Sequence, residues 1–66
     1  MAGPDQDDIE DLRADHSALA TMLRARRAVS TAGMSMGARM LWTIYLQILE
    51  DALKTLDSLI QLMKSR

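Results

Sequence analysis

The stretch "TAGMSMG" at residues 31–37 interrupts a chain whose flanking sequence is otherwise typical of helix. It contains Gly33 and Gly37, and each glycine in a helix interior costs about 1 kcal/mol relative to alanine. Gly33 suits a left-handed cap that ends a first helix, and Ser35 suits the N-cap of a second. The stretch therefore predicts a turn between two helices, at about residues 30–37.

The residues before this turn predict a first helix at about residues 5–29. Acidic side chains crowd its start, and Arg24, Arg26 and Arg27 crowd its end, which is the distribution that the helix dipole favours. We expect the histidine on its apolar face, His16, to be a half-buried structural residue. That face is narrow, with large apolar groups spaced by three, four or seven residues. These groups are Ile9, Leu12, Leu19, Met22, Leu23 and Val29.

The residues after the turn predict a second helix at about residues 38–64, without Gly or Pro. With Trp42 as heptad position a, the a, d, e and g positions are nearly all apolar, so more than half of the circumference requires burial. These positions are Trp42, Leu49, Leu56 and Met63 (a); Tyr45, Ala52 and Leu59 (d); Leu46, Leu53 and Ile60 (e); and Leu41, Ile48, Thr55 and Leu62 (g).

Two helices of similar length joined by a short connection predict an all-α antiparallel hairpin, with residues 1–66 as one domain. The two apolar faces do not match, because the first helix offers about six large apolar groups and the second about fifteen. A monomer would expose the surplus as a patch of several hundred Å², which monomeric proteins rarely do. The chain has no cysteine, so neither a disulfide nor a Cys-based zinc site compensates. The pattern predicts that a helical partner or a second copy covers the second helix.

We expect the a and d positions to pack on the first helix and the flanking e and g positions to face the partner. The e edge is favoured because Thr55 interrupts the g edge. This predicts that Leu53→Asp abolishes partner binding in a folded hairpin, whereas Leu56→Asp unfolds the hairpin. The candidate partner-binding residues are the two edges and the two aromatic residues near the turn: Leu46, Leu53, Ile60, Leu41, Ile48, Leu62, Trp42 and Tyr45.

The sequence offers no pattern typical of catalysis or of a cofactor. It has no Ser/His/Asp or Cys/His set, no phosphate-binding glycine loop followed by Lys, and no metal-ligand spacing. The net charge is −1, and four arginines near the turn do not make the basic face that nucleic-acid binding requires. The longest apolar run, residues 40–49, is half of a membrane span, and the acidic start does not resemble a secretory signal. We expect a cytoplasmic protein that is not an enzyme.

One enzyme resemblance is remote. The segments "LRADHSALATMLRARR" and "IYLQILEDAL" resemble the first and last helices of the all-helical chorismate mutases. Arg26 would match an arginine that grips the substrate carboxylates in that family. The family's middle helix has no counterpart here, and Leu56 stands where its catalytic glutamine is expected.

A second resemblance covers more of the chain and needs no gaps. The matching positions are Leu19, Leu23, Arg27, Gly33, Trp42, and Leu49, Glu50 and Ala52 of "LEDA". On these residues the chain is similar to the small E-type co-chaperones of type III secretion needles, the YscE/PscE/AscE family. The sequence "GARML" stands where that family commonly has "QYQ" after the turn.

This resemblance implies a helical hairpin in the bacterial cytoplasm that pairs with a larger, TPR-like chaperone. The pair would keep a needle subunit unpolymerised before export, and the E subunit would mainly stabilise the TPR-like chaperone. The competing interpretation is a homo-oligomeric helical bundle, such as two hairpins, that acts as an adaptor or as an inhibitor of phage or plasmid type. An apolar face alone does not identify the protein that covers it, so the sequence leaves both interpretations open.

Overall fold

The computed structural model describes residues 6–65, which form two antiparallel α-helices. Helix α1 is Gln6–Arg27 and helix α2 is Met36–Lys64. No strand occurs between residues 6 and 65, so the predicted all-α hairpin is confirmed. The molecule is elongated, at 52 × 16 × 15 Å.

Charged side chains at both ends of α1 stabilise the helix. Asp7 and Asp8 lie in the first turn, and Arg24, Arg26 and Arg27 lie in the last turn. Negative charge near a helix N-terminus and positive charge near the C-terminus each stabilise the helix by about 0.3–1 kcal/mol. Six positions on one face of α1 are buried or half-buried, as the apolar spacing predicted: Ile9, Leu12, His16, Leu19, Met22 and Leu23.

Helix α1 ends at Arg27, two residues earlier than expected. The amide of Val29 donates to the carbonyl of Arg26 at 3.2 Å, a tighter bond than the helical pattern, which satisfies a carbonyl of the last turn. Val29 therefore lies beyond the helix and is exposed rather than part of the α1 stripe.

The connection between the helices is residues 28–35. A turn over residues 31–34 is closed by the amide of Met34, which donates to the carbonyl of Thr31 at 3.0 Å. The Ser30 hydroxyl accepts from the amide of Ala32 at 3.3 Å. These local bonds satisfy polar backbone groups within the connection.

Gly33 does not adopt the left-handed conformation that the sequence suggested. None of the glycines in residues 6–65 has a positive φ, and Gly33 lies six residues past the end of α1. It occupies the third position of the turn that Met34 closes, where a type I turn uses negative φ. The helix is thus ended by hydrogen bonds of the connection and not by a glycine cap.

Helix α2 begins at the predicted cap residue. Ser35 has extended backbone angles (φ −64°, ψ 166°), and its hydroxyl accepts from the amide of Ala38 at 3.1 Å. The amide of Arg39 makes the first helical bond, to the carbonyl of Ser35 at 2.9 Å. Because the cap is Ser35, Met36 and Gly37 fall in the first turn of α2, two residues before the expected start.

The core of the hairpin is small. Among residues 6–65, four side chains are buried: Ile9 and Leu23 of α1, and Leu49 and Ile60 of α2. No buried polar side chain accompanies them in the described part of the chain. One helix covers only one side of its neighbour, so the rest of the apolar circumference of α2 has no cover within the hairpin.

Candidate protein-interaction surface

Two apolar seams run along α2. The inner seam follows a spacing of four and three residues from the first turns of α2 to its last, and every member is buried or half-buried. Because α1 is the only other helix between residues 6 and 65, this burial shows that the inner seam faces α1. Its members are Trp42, Leu46, Leu49, Leu53, Leu56, Ile60 and Met63.

The outer seam has equivalent helical spacing, and every member is exposed. It lies roughly 110° around α2 from the inner seam, as follows from about 3.6 residues per turn. Leu41 and Leu62, near its two ends, keep 68% and 67% of their surface exposed. Its members are Leu41, Ile44, Ile48, Ala52, Thr55, Leu59 and Leu62.

Side-chain size explains which seam faces α1. The inner seam consists entirely of large apolar residues, whereas Ala52 and Thr55 interrupt the outer seam. Hydrophobic stabilisation grows with the apolar area that is buried, so α1 gains more by packing on the inner seam. The better seam is used within the hairpin, and the weaker seam is left uncovered.

The e edge, which was preferred as the partner-facing edge, lies against α1 in this hairpin, and its role in partner binding stays a prediction. Ile60 is only 6% exposed, and Leu46 and Leu53 are half-buried, because the e positions join the a positions in the inner seam. The d positions Ala52 and Leu59 are exposed instead of packing on α1. The intramolecular seam is therefore a/e rather than a/d.

The g edge is the edge that the structure leaves free. Leu41, Ile48 and Leu62 are all exposed. The outer seam adds Ile44 and Leu59, which were not predicted among the partner-binding residues. Their position in a continuous three-or-four-residue spacing from Leu41 to Leu62 was the signal that could have found them.

The two predicted aromatic anchors belong to the hairpin itself. Trp42 and Tyr45 are half-buried near the start of α2, with ring centroids 5.3 Å apart and planes tilted by 47°. Tilted pairs at this separation are favourable. Trp42 is in the inner seam, so it is a structural contact, and its role in partner binding stays a prediction.

The opposite face of α2 is polar. Arg27 at the end of α1 forms an ion pair with Glu50, which also lies 3.5 Å from the ammonium of Lys54. The side-chain amide of Gln47 donates to the carboxylate of Asp51 at 3.1 Å. Exposed pairs of this kind contribute at most about 1 kcal/mol each. This side of the hairpin has the composition of a solvated surface.

The outer seam is large enough to matter energetically. Its five large members together expose the equivalent of roughly three whole side chains, and complete burial contributes about 1.5–3 kcal/mol per side chain. Full coverage would therefore contribute roughly 4–9 kcal/mol from this protein alone. Association itself costs about 4–15 kcal/mol, so a partner must supply a complementary apolar surface.

The other features singled out in the sequence lie apart from the outer seam. Arg26 is half-buried in the last turn of α1, His16 is half-buried in the middle of α1, and Leu56 belongs to the inner seam. The region 6–65 contains no pocket and no cluster of three residues that could ligate a metal ion. Neither α1 nor α2 combines the length and the apolar character that a membrane crossing needs.

Comparison with known protein families, characterised proteins and solved structures gives no significant match to this chain.

Proposed function

We propose that this protein is a helical interaction module that binds a partner protein through the outer seam of α2. The observation that carries the proposal is that all seven members of this seam are exposed in the folded hairpin. A mainly apolar, exposed stripe of this length is a surface that a helical partner can pack against. The ordered, capped helix beneath it holds the stripe in one geometry, which lowers the entropic cost of binding.

The specific role that we propose is that of a cytoplasmic E-type co-chaperone. In this role the hairpin stabilises a TPR-like chaperone, and the pair keeps a needle subunit unpolymerised. The resemblance of the chain to that family supports the proposal, and so does the hairpin architecture, which is the one that the resemblance implied. Stabilisation would follow mass action, because the hairpin binds only the folded form of its partner.

Co-expression tests this function directly. The hairpin would be produced together with a TPR-like chaperone and a needle subunit from the same genome, and the melting temperature of the chaperone would be measured with and without the hairpin. We expect the chaperone to melt at a higher temperature as the hairpin concentration rises. A melting temperature that does not respond to an excess of the hairpin contradicts the proposal.

Two variants locate the contact. Ile48→Asp places a charge in the outer seam and is expected to remove the stabilisation. Gln47→Asp changes the neighbouring residue on the polar face and is expected to preserve it. If both variants stabilise the chaperone equally well, the outer seam is not the binding surface.

A second candidate function is a homo-oligomeric adaptor or inhibitor of phage or plasmid type. One observation favours it. The residues of the outer seam have almost the same spacing when α2 is followed in either direction, so the seam could pair with a reversed copy of itself.

A further inference from the structure

We propose that the outer seam of α2 pairs with the same seam of a second copy in an antiparallel dimer. The spacing of the seam supports this pairing. Four of its five large residues are placed symmetrically about a point between Asp51 and Ala52, and the fifth, Ile48, falls opposite Thr55. Reversing the helix therefore brings large apolar groups opposite each other near both ends of the seam. A twofold interface requires this self-complementarity of one surface patch. The pairs formed between the two copies are Leu41 with Leu62, Ile44 with Leu59, and Ile48 with Thr55, each formed twice.

The small residues of the seam fit the same arrangement. Ala52 falls beside the twofold axis, where the two helix axes approach each other most closely. Thr55 faces Ile48 of the second copy, so a smaller side chain meets a larger one on either side of the axis. Small residues near the axis let the two helices pack at an ordinary helix–helix distance of about 8–10 Å. The residues that weaken the seam for packing on α1 are therefore suited to packing between two α2 helices.

Charge also favours the antiparallel orientation. The turn end of the hairpin carries Arg24, Arg26, Arg27 and Arg39, whereas the open end carries the acidic first half of α1. An antiparallel pair places the basic turn end of each copy beside the acidic open end of the other. A parallel pair would bring like charges together at both ends. Complementary fields of this kind fix the orientation of a complex. The acidic residues concerned are Asp7, Asp8, Glu10, Asp11 and Asp15.

The exposed surface area of the hairpin is consistent with pairing as well. The chain exposes 5053 Å², about a fifth more than the roughly 4,200 Å² expected for a compact monomer of 7.4 kDa. A standard interface removes about 800 Å² from each partner. An interface of that size on the outer seam would bring each copy close to the exposure of a compact protein.

This dimer does not depend on the proposed co-chaperone role, although it concerns the same seam. If both are correct, the dimer is the free form of the protein, and a heterologous partner must displace the second copy. Binding of that partner would then become weaker as the hairpin concentration rises above the dissociation constant of the dimer.

The oligomeric state is the first test. Sedimentation equilibrium of the full chain over a wide concentration range is expected to show a reversible monomer–dimer equilibrium. Ile48→Asp should raise the dimer dissociation constant by roughly 100-fold or more, because two charges enter the interface. Gln47→Asp, on the polar face, should change it less than about 3-fold. Circular dichroism should show helices in both variants, because both residues are exposed in the hairpin.

Cysteine cross-linking tests the direction of the pairing, because residues 6–65 contain no cysteine to interfere. Ala52→Cys places two sulfurs beside the twofold axis and is expected to form a disulfide dimer quickly under mild oxidation. In Thr55→Cys the two cysteines lie about 10 Å apart along the helix axes, beyond the roughly 7 Å between Cα atoms that a disulfide spans. We expect this variant to cross-link poorly.

Each outcome decides the proposal. Rapid cross-linking of Ala52→Cys with slow cross-linking of Thr55→Cys supports the antiparallel dimer. Equal cross-linking of both indicates a parallel pair and overturns it, as does a monomer or a larger oligomer at all concentrations. A monomer that still stabilises a TPR-like chaperone through Ile48 would refute the dimer alone. A dimer with the stated cross-links that leaves the chaperone unaffected would refute the co-chaperone role alone.

Discussion

Ile48 and Leu49 are sequence neighbours of nearly the same size and polarity, but Ile48 is 59% exposed and Leu49 is 8% exposed. The roughly 100° step between consecutive residues of α2 places Leu49 in the inner seam and Ile48 in the outer seam. One residue holds the hairpin together, and the other is available to a partner. The same division applies along the whole length of α2.

Charged substitutions should separate the two seams. Leu53→Asp is expected to unfold the hairpin as severely as Leu56→Asp, because both residues are half-buried against α1 and would carry an unpaired charge into that contact. Ile48→Asp should keep most of its helix content. Circular dichroism melts at a concentration where the protein is monomeric provide the measurement. A folded Leu53→Asp variant with a normal melt would show that the inner seam is assigned wrongly.

Gly33 provides a test of the turn. It has no positive φ, and apart from its two chain neighbours no residue has an atom within 4 Å of the position that an alanine methyl group would take, so Gly33→Ala should be free of strain. The substitution should stabilise the hairpin by about 0.4–1 kcal/mol, because alanine restricts the unfolded chain. Urea denaturation measures the change. A loss of stability in the alanine variant would instead indicate that Gly33 uses the left-handed conformation.

The cap of α2 should contribute measurably to stability. Ser35→Ala removes the hydroxyl that accepts from the amide of Ala38 and is expected to cost about 0.5–2 kcal/mol. Ser35→Asn keeps an acceptor at the same position and serves as the matched control, with little expected change. Equal stability of the alanine variant and the wild type in urea would mean that the cap bond is not formed in solution.

The ion pair between Arg27 and Glu50 is expected to be weak. The side chains are 53% and 34% exposed, so solvent screens their attraction. A double-mutant cycle with Arg27→Gln and Glu50→Gln should give a coupling energy below about 1 kcal/mol. In about 1 M salt the coupling should nearly disappear, because screening then acts over only about 3 Å. A coupling that persists in high salt would point to a desolvated pair.

Local signals were enough to predict the two helices and the place of the break. Apolar spacing, charge at the ends of α1 and the glycines at residues 31–37 are signals of this kind, and the structure reproduces them with boundaries shifted by about two residues. The N-cap at Ser35 was also predictable, since a hydroxyl three residues before a free amide is a local arrangement. The conformation of Gly33 was not predictable in this way, because hydrogen bonds within residues 28–34 end α1 without a left-handed residue.

The face of α2 that lies inside depended on tertiary packing. Both seams have three-or-four-residue spacing, and a helical periodicity identifies apolar faces without ranking them. The choice was made when α1 met α2, because Leu46, Leu53 and Ile60 offer more apolar area to α1 than Ala52 and Thr55 do. The surface left for binding is therefore a remainder. It consists of the apolar residues of α2 that α1 does not bury. Which residues these are depends on how the two helices pack together, and neither helix determines it alone.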